Sequence, residues 1–252
     1  MKRLLLLFIC SASIICFSQK TTMYVAARTG LSIREKQDAA SKVLDKIPFG
    51  TKITLPESTE EEQTIKTEGI TGHWKKVSYN GKTGYIIDSY LFPMPVPKST
   101  VKDLKAYILQ NTQPFGSKLI VKHGTMGNIE ESGYEIRKQL YKNGAEMAEL
   151  FGYEYGATTY IIPDFNMQQG FLLLRMIPEF KEVFGDKEEF PNESRTYKKG
   201  EIEYTVTVDK EAMGEGTYWV KKITVEYSDG ATYDFEMFEM NNEIVITLSS
   251  GV

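Results

Sequence analysis

One stretch decides the fold of the first third of the chain: residues 72–91, which read GHWKKVSYNGKTGYIIDSYL. Two β-rich runs flank Asn80-Gly81, a dipeptide preferred in tight hairpin turns because both of its positions need positive φ. The stretch therefore predicts a β-hairpin with Trp74 on its first strand and an aromatic second strand. Barrel construction explains this hairpin, which favours a scaffold or a binding surface over an active site.

The residues before this hairpin also form short strands separated by turns. Residues 31–35 alternate apolar and polar side chains, as a half-buried strand does, and residues 41–55 predict two strands around a glycine turn. Residues 56–69 are a polar insertion, and we expect their acidic run at residues 60–62 to be a solvated loop.

The order of these elements resembles the bacterial Src-homology-3-like (SH3b) domain. The matching motifs, in chain order, are Leu31-Ser32-Ile33-Arg34, Val43-Leu44, Gly50-Thr51, Trp74-Lys75-Lys76-Val77, Gly81-Lys82-Thr83-Gly84-Tyr85-Ile86 and Ser89-Tyr90-Leu91. Ser32 stands where the family usually has Asn, Tyr85 stands where it usually has Trp, and the acidic loop is longer than usual. The resemblance implies a small, partly open β-barrel at residues 23–92 that binds cell-wall peptides or protein partners.

Five aromatic residues of the predicted barrel are the candidate binding residues: Tyr24, Trp74, Tyr79, Tyr85 and Tyr90. Rigid amphipathic rings give contact area at a low cost in conformational entropy, so they suit a shallow stacking surface for an extended peptide. The competing interpretation for each ring is packing in the barrel core. The strand pattern favours core packing for Trp74.

Residues 1–19 have the pattern of an export signal. Lys2 and Arg3 precede an apolar run at residues 4–15, and the small Ser18 follows near a plausible cleavage point. The run is shorter than the roughly 20 residues that span a membrane, and no later segment comes close. We therefore expect a signal peptide, export to the periplasm or the exterior, and no transmembrane segment in the mature chain.

Both cysteines of the chain, Cys10 and Cys16, lie within this predicted signal. A processed chain has neither a disulfide nor a thiol nucleophile, which excludes the NlpC-type peptidases that often accompany such modules. Bacterial lipoprotein signals have a small residue just before the cysteine, whereas Ile14 and Ile15 precede Cys16. Lipid anchoring at Cys16 is therefore not expected.

The charge balance excludes a nucleic-acid binder, because 34 acidic residues outweigh 30 basic ones and the net charge is −4. His73 and His123 are the two histidines, and neither has a partner at metal-ligand spacing. The chain has neither a Gly-x-Ser-x-Gly elbow nor a phosphate-binding loop. We therefore predict no catalytic residue, no metal and no cofactor.

A proline-rich stretch follows the predicted barrel: residues 92–100 read FPMPVPKST. Alternating prolines stiffen the chain and withhold hydrogen-bond donors, so residues 93–100 are predicted to be a semi-rigid linker. Residues 101–252 then predict an α+β domain of unknown function with an antiparallel sheet. The chain as a whole is predicted to be mainly β or α+β.

This second region is predicted to run helix, four strands, helix, four strands. Thr100 is the expected cap of the first helix, and Asp164 or Asn166 that of the second. The Gly-Ala-Thr motif occurs twice, at residues 156–158 and 230–232. This recurrence suggests a tandem α-β4 duplication, an arrangement similar to the beta-lactamase inhibitor protein. Chance recurrence in an aromatic-rich sheet protein is the equal alternative.

Three functional hypotheses follow. The leading one is an exported, non-enzymatic binding protein whose barrel recognises a cell-wall peptide, another cell-wall component or an envelope protein. The second is an envelope hydrolase that uses two carboxylates. Its candidates, most of them expected on a solvated face, are Asp164, Glu179, Glu182, Asp186, Glu188 and Glu189. The third is an inhibitor or assembly factor, which the α-β4 duplication predicts.

Overall fold

The computed structural model describes residues 21–56, 61–125, 133–185, 188–214 and 216–252. The predicted signal peptide lies outside these ranges. Most of the described chain is strand, so the prediction of a mainly β protein is confirmed. Within the same ranges, no helix has the length and apolar character needed to cross a membrane.

The described residues of the N-terminal part form a barrel of eight strands. They are β1 (Thr21–Val25), β2 (Leu31–Arg34), β3 (Val43–Ile47), β4 (Lys52–Leu55), β5 (Thr64–Thr67), β6 (Ile70–Tyr79), β7 (Lys82–Ile87) and β8 (Leu91–Phe92). One sheet has the order β4-β1-β8 and the other β3-β2-β7-β6-β5. They enclose one core, formed by Val25, Leu31, Ile33, Ile47, Ile53, Val77, Ile86 and Leu91. The sheets do not close on each other, which confirms the predicted partly open barrel.

The hairpin of β6 and β7 forms as the Asn-Gly pair predicts. Asn80 and Gly81 both adopt positive φ, at 49° and 73°. The register places Trp74 opposite Ile87. A short 3-10 turn at Asp88–Tyr90 then leads into β8.

The predicted polar loop before β6 is partly a strand. β5 pairs with β6 through a turn at Glu68 and Gly69, whose φ angles are 52° and 75°. The expectation of a solvated acidic run is wrong for Glu62, which is largely buried and forms an ion pair with Lys75. Glu60 lies outside the described residues. β5 was not predicted, because a polar strand at a sheet edge lacks apolar alternation.

The C-terminal part is one antiparallel sheet with two helices. Its elements are α1 (Leu104–Asn111), β9 (Pro114–His123), β10 (Tyr134–Tyr141), β11 (Glu146–Gly152), β12 (Tyr155–Pro163), α2 (Met167–Leu174), β13 (Arg195–Lys199), β14 (Ile202–Gly214), β15 (Thr217–Ser228), β16 (Thr232–Met240) and β17 (Glu243–Gly251). The nine strands have the order β13-β14-β15-β16-β17-β12-β11-β10-β9. A 3-10 turn at Pro178–Phe180 follows α2.

The order helix, four strands, helix is as predicted, but in the described part of the chain five strands follow α2 where four were expected. The additional strand is β13, at one edge of the sheet. The two Gly-Ala-Thr motifs do not occupy equivalent structural positions. Residues 156–158 lie within β12, whereas residues 230–232 lead into β16. The two groups of strands nevertheless meet through their last members, β12 and β17.

Both helices begin at side-chain caps. The prediction of Thr100 for α1 is wrong, because Asp103 is the N-cap and its Oδ1 accepts a hydrogen bond from Ala106 N at 2.7 Å. The carboxylate of Asp103 also complements the helix dipole. α2 begins after the predicted Asn166, which forms a capping box with Gln169.

Barrel and sheet share a core, and α2 contacts both. Ala26, Ile70 and Phe92 of the barrel belong to the same buried cluster as the two helices and the sheet. Val96, in the predicted linker, also lies in this cluster, and Gln110 Nε2 of α1 donates to its carbonyl oxygen at 3.0 Å. The proline-rich connector therefore packs against the rest of the chain.

Candidate binding site between the barrel and the sheet

The five predicted aromatic residues do not gather on one surface. Trp74 and Tyr90 line the same groove, between the barrel and the end of α2. Tyr24 lies on β1 between β4 and β8, and Tyr79 packs against the barrel core. Tyr85 lies near a lysine ammonium group of β6. The structure therefore brings together two of the five.

The groove that contains Trp74, termed the barrel–helix groove, has a volume of about 370 Å³. Trp74 is 3% exposed, yet it is not part of the barrel core. Val77, three residues further on, does belong to that core. Strand residues an odd number of positions apart face opposite sides, so Trp74 is buried at the junction with α2.

An ion pair lines the barrel–helix groove. Arg175 Nη1 lies 2.9 Å from Glu68 Oε2, and Arg28 Nη2 donates to the Arg175 carbonyl oxygen at 3.0 Å. Burial, and then the Glu68 carboxylate, raises the pKa of Tyr90 to about 12. Tyr90 therefore keeps its proton at neutral pH. These contacts make the groove a structural junction between barrel and helix.

A larger recess of about 1160 Å³ lies at the other end of α2 and is termed the barrel–sheet cleft. One wall is the barrel, with His73 and Lys75 of β6 and Asp88 of the 3-10 turn that follows β7. The opposite wall is the tip of the β14–β15 hairpin. The first turn of α2, after Asn166, forms the floor.

The barrel wall of the cleft is polar along β6 and the 3-10 turn, where Asp88 organises it. Asp88 Oδ1 accepts a hydrogen bond from His73 N at 2.7 Å. Its Oδ2 lies 3.7 Å from His73 Nδ1 and 4.0 Å from Lys75 Nζ. Lys75 also pairs with Glu62. The wall therefore offers charges of both signs side by side along β6.

Gly72 allows Asp88 to approach β6 this closely. A Cβ at Gly72 would lie 2.8 Å from Asp88 Oδ1 and closer still to Ser89 Oγ. Ser89 Oγ is buried and has no hydrogen-bond partner among the described residues. The 3-10 turn can therefore pack directly on β6 only because residue 72 has no side chain.

The hairpin wall of the cleft is aromatic and apolar. Met213 and Tyr218 are 70% and 64% exposed, at the tip of a hairpin whose strands have 13 and 12 residues. Trp219 follows and also lines the cleft. Exposed apolar side chains that cluster beside a recess are typical of partner surfaces. These residues were not among the predicted site residues, although two glycines, Gly214 and Gly216, lie between large apolar residues in the sequence.

The carboxylates considered for a hydrolase mostly have structural partners. Glu179 Oε2 accepts a hydrogen bond from Leu104 N at 2.8 Å, at the start of α1, and burial raises the pKa of Glu179. Glu182 and Glu188 form ion pairs with basic residues of β13. Asp186 lies outside the described residues. Across the part of the chain that the structure describes, no three His, Cys, Asp or Glu residues are arranged to hold a metal ion.

Comparison with known proteins identifies the barrel. Residues 29–92 match the family model of the bacterial SH3 domain, which covers β2 to β8 and confirms the resemblance seen in the sequence. The rest of the chain matches no family model. No curated protein and no solved structure matches the chain. A bacterial SH3 domain indicates a binding module, so the barrel is interpreted as one.

Proposed function

We propose that the bacterial SH3 domain and the C-terminal sheet form an exported binding protein that holds an extended cell-wall peptide in the barrel–sheet cleft without cleaving it. The observation that carries the proposal is the composition of the cleft, because the SH3 domain contributes the polar side chains of His73, Lys75 and Asp88 and the β14–β15 hairpin contributes the rings of Tyr218 and Trp219. Export is supported by the signal-like pattern of residues 1–19.

The chemistry of the two walls favours a peptide as ligand. His73 and Lys75 suit carboxylate groups, Asp88 suits an amine or an amide, and the hairpin rings of Tyr218 and Trp219 suit aliphatic segments. The cleft volume of about 1160 Å³ exceeds the roughly 300–1,000 Å³ of common small-molecule sites. An extended ligand therefore fits the cleft better than a compact metabolite.

Titration of the purified protein with stem peptides released from peptidoglycan tests the proposal. Tyr218→Ala removes a ring from the hairpin side of the cleft, and His73→Ala removes an imidazole from the barrel side. Each variant is expected to weaken binding about tenfold, which corresponds to roughly 1.4 kcal/mol. Met240→Ala is the matched control, because this exposed side chain is not among those lining the cleft.

Three outcomes would contradict the proposal. Loss of affinity in Tyr218→Ala alone would remove the SH3 domain from the site. If the purified protein binds an envelope protein but neither stem peptides nor intact sacculi, the ligand is a protein. Peptide cleavage that Asp88→Asn abolishes would make the cleft an active site.

A further inference from the structure

The two edges of the nine-stranded sheet differ in character. β13, at one edge, reads RTYKK and carries three cations in five residues. Charged edges of this kind discourage pairing with another strand. β9, at the other edge, reads PFGSKLIVKH and all ten of its residues are exposed. Among the described strands, β10 is its single partner.

Exposed apolar side chains concentrate around β9. Phe115, Leu119, Ile120 and Val121 are 62%, 59%, 52% and 44% exposed. Of the sixteen large apolar side chains that are exposed in the described part of the chain, nine lie between residues 115 and 155. Monomers rarely leave such a patch uncovered, and an apolar edge strand is a template for another strand.

The lysines of β9 are neutralised within the same sheet. Lys118 Nζ lies 3.1 Å from Glu149 Oε2, and Lys122 Nζ lies 2.9 Å from Glu135 Oε2. The two carboxylates belong to β11 and β10. A second strand that approaches this edge therefore meets apolar side chains and balanced charges, so the partner that fits best is itself apolar and balanced.

We infer that β9 pairs with β9 of a second copy of this chain, antiparallel about a two-fold axis, so that two sheets become one. The strand is apolar on both faces, because Leu119 and Val121 alternate with Ile120. A second β9 has the same length, the same apolar faces and the same internal ion pairs. Ten residues at about 3.4 Å each give a seam of roughly 34 Å.

Two-fold pairing also explains why assembly stops at two copies. Pairing of β9 with itself covers the apolar edge of both copies and leaves β13, with its three cations, as the outer edge of the joined sheet. A two-fold contact of this kind closes the assembly, and charged edge strands discourage further pairing.

Sedimentation equilibrium of the purified protein tests this inference. We expect twice the chain mass at micromolar concentration, and at least a tenfold weaker dimer when Leu119→Lys and Ile120→Lys are combined. Met240→Lys is the matched control, since it adds a charge at another exposed apolar position of the same sheet and should leave the dimer intact. A wild-type protein that sediments as a monomer overturns the inference, even if its β9 strand binds a different protein. A double variant that dimerises as tightly as the wild type overturns it as well.

Hydrogen exchange on the unmodified chain provides a second test that does not depend on how the variants fold. Backbone amides within residues 114–123 should exchange more slowly in concentrated than in dilute solution, and those of residues 195–199 equally in both. Equal exchange of residues 114–123 at the two concentrations, or protection of residues 195–199 instead, overturns the inference.

Discussion

At the scale of single residues, the barrel–sheet cleft depends on the missing side chain at Gly72. A Cβ there would collide with Asp88 and Ser89, so Gly72→Ala should push the 3-10 turn away from β6. We expect a loss of about 1–3 kcal/mol in the free energy of unfolding, as for other overpacked sites. Urea denaturation measures it. Thr71→Ala, an exposed neighbour, is the control, and equal stability of the two variants would contradict the close packing.

Also at the residue scale, the ion pairs of Glu135 predict that the stability of the fold depends on pH. Hydrogen bonds from Lys122 and then Arg137 hold the pKa of Glu135 below its usual value of 4.5. A carboxyl whose pKa is lower in the folded state stabilises the fold above its unfolded pKa, and this stabilisation is lost as pH falls through the folded pKa.

Glu135→Gln should therefore be less stable than the wild type at neutral pH, and the difference should vanish once the pH has fallen below the folded pKa of Glu135. Thermal unfolding across this pH range measures it. Glu211→Gln is the control, because its exposed ion pair with Lys221 contributes little. A penalty for Glu135→Gln that persists in acid would contradict the electrostatic explanation.

At the scale of elements, α2 both holds the barrel in place and forms part of the cleft. Gln168 Oε1 accepts a hydrogen bond from Thr71 N at 3.0 Å, and Gln169 Nε2 donates to the Leu91 carbonyl oxygen at 2.8 Å. The first turn of α2 thereby holds the end of the barrel and also forms the floor of the cleft. Loosening this turn should affect stability and ligand binding together.

Asn166→Ala tests this coupling by removing the N-cap of α2. We expect a loss of about 1 kcal/mol in unfolding free energy, typical of a lost cap, and weaker binding of stem peptides. Asp103→Ala is the matched control, because it removes the N-cap of α1, which is not among the residues lining the cleft. Asp103→Ala should lose a similar unfolding free energy and keep the wild-type affinity for stem peptides. Equal peptide affinities of the two variants would contradict the role of α2.

At the scale of the whole molecule, the shared core predicts one cooperative unfolding transition. The chain has two tryptophans, Trp74 in the barrel and Trp219 in the β14–β15 hairpin, so each part has its own fluorescent reporter. Trp74→Phe leaves the sheet reporter and Trp219→Phe the barrel reporter. Urea transitions measured on the two variants should have the same slope, as expected for a single two-state unit. Different slopes, or two transitions in the wild type, would show independent parts.

The elements that could be predicted are those with local signals. The Asn80-Gly81 hairpin and the Asn166 cap follow from backbone preferences of a few adjacent residues. β5 and β13 were missed because polar edge strands carry no apolar period. The cap of α1 was misplaced because Thr100 and Asp103 are both acceptable cap residues, and only packing selects between them.

The sequence by itself determined the SH3 domain, the mainly β class and the hairpin of β6 and β7, because turn residues and strand alternation are encoded over a few neighbouring positions. Only the tertiary structure decided the barrel–sheet cleft and the exposed edge at β9. His73 and Tyr218 are far apart in the chain, and their approach depends on α2 packing between barrel and sheet. Which strand ends a sheet depends likewise on the order of all nine strands, and no local pattern specifies that order.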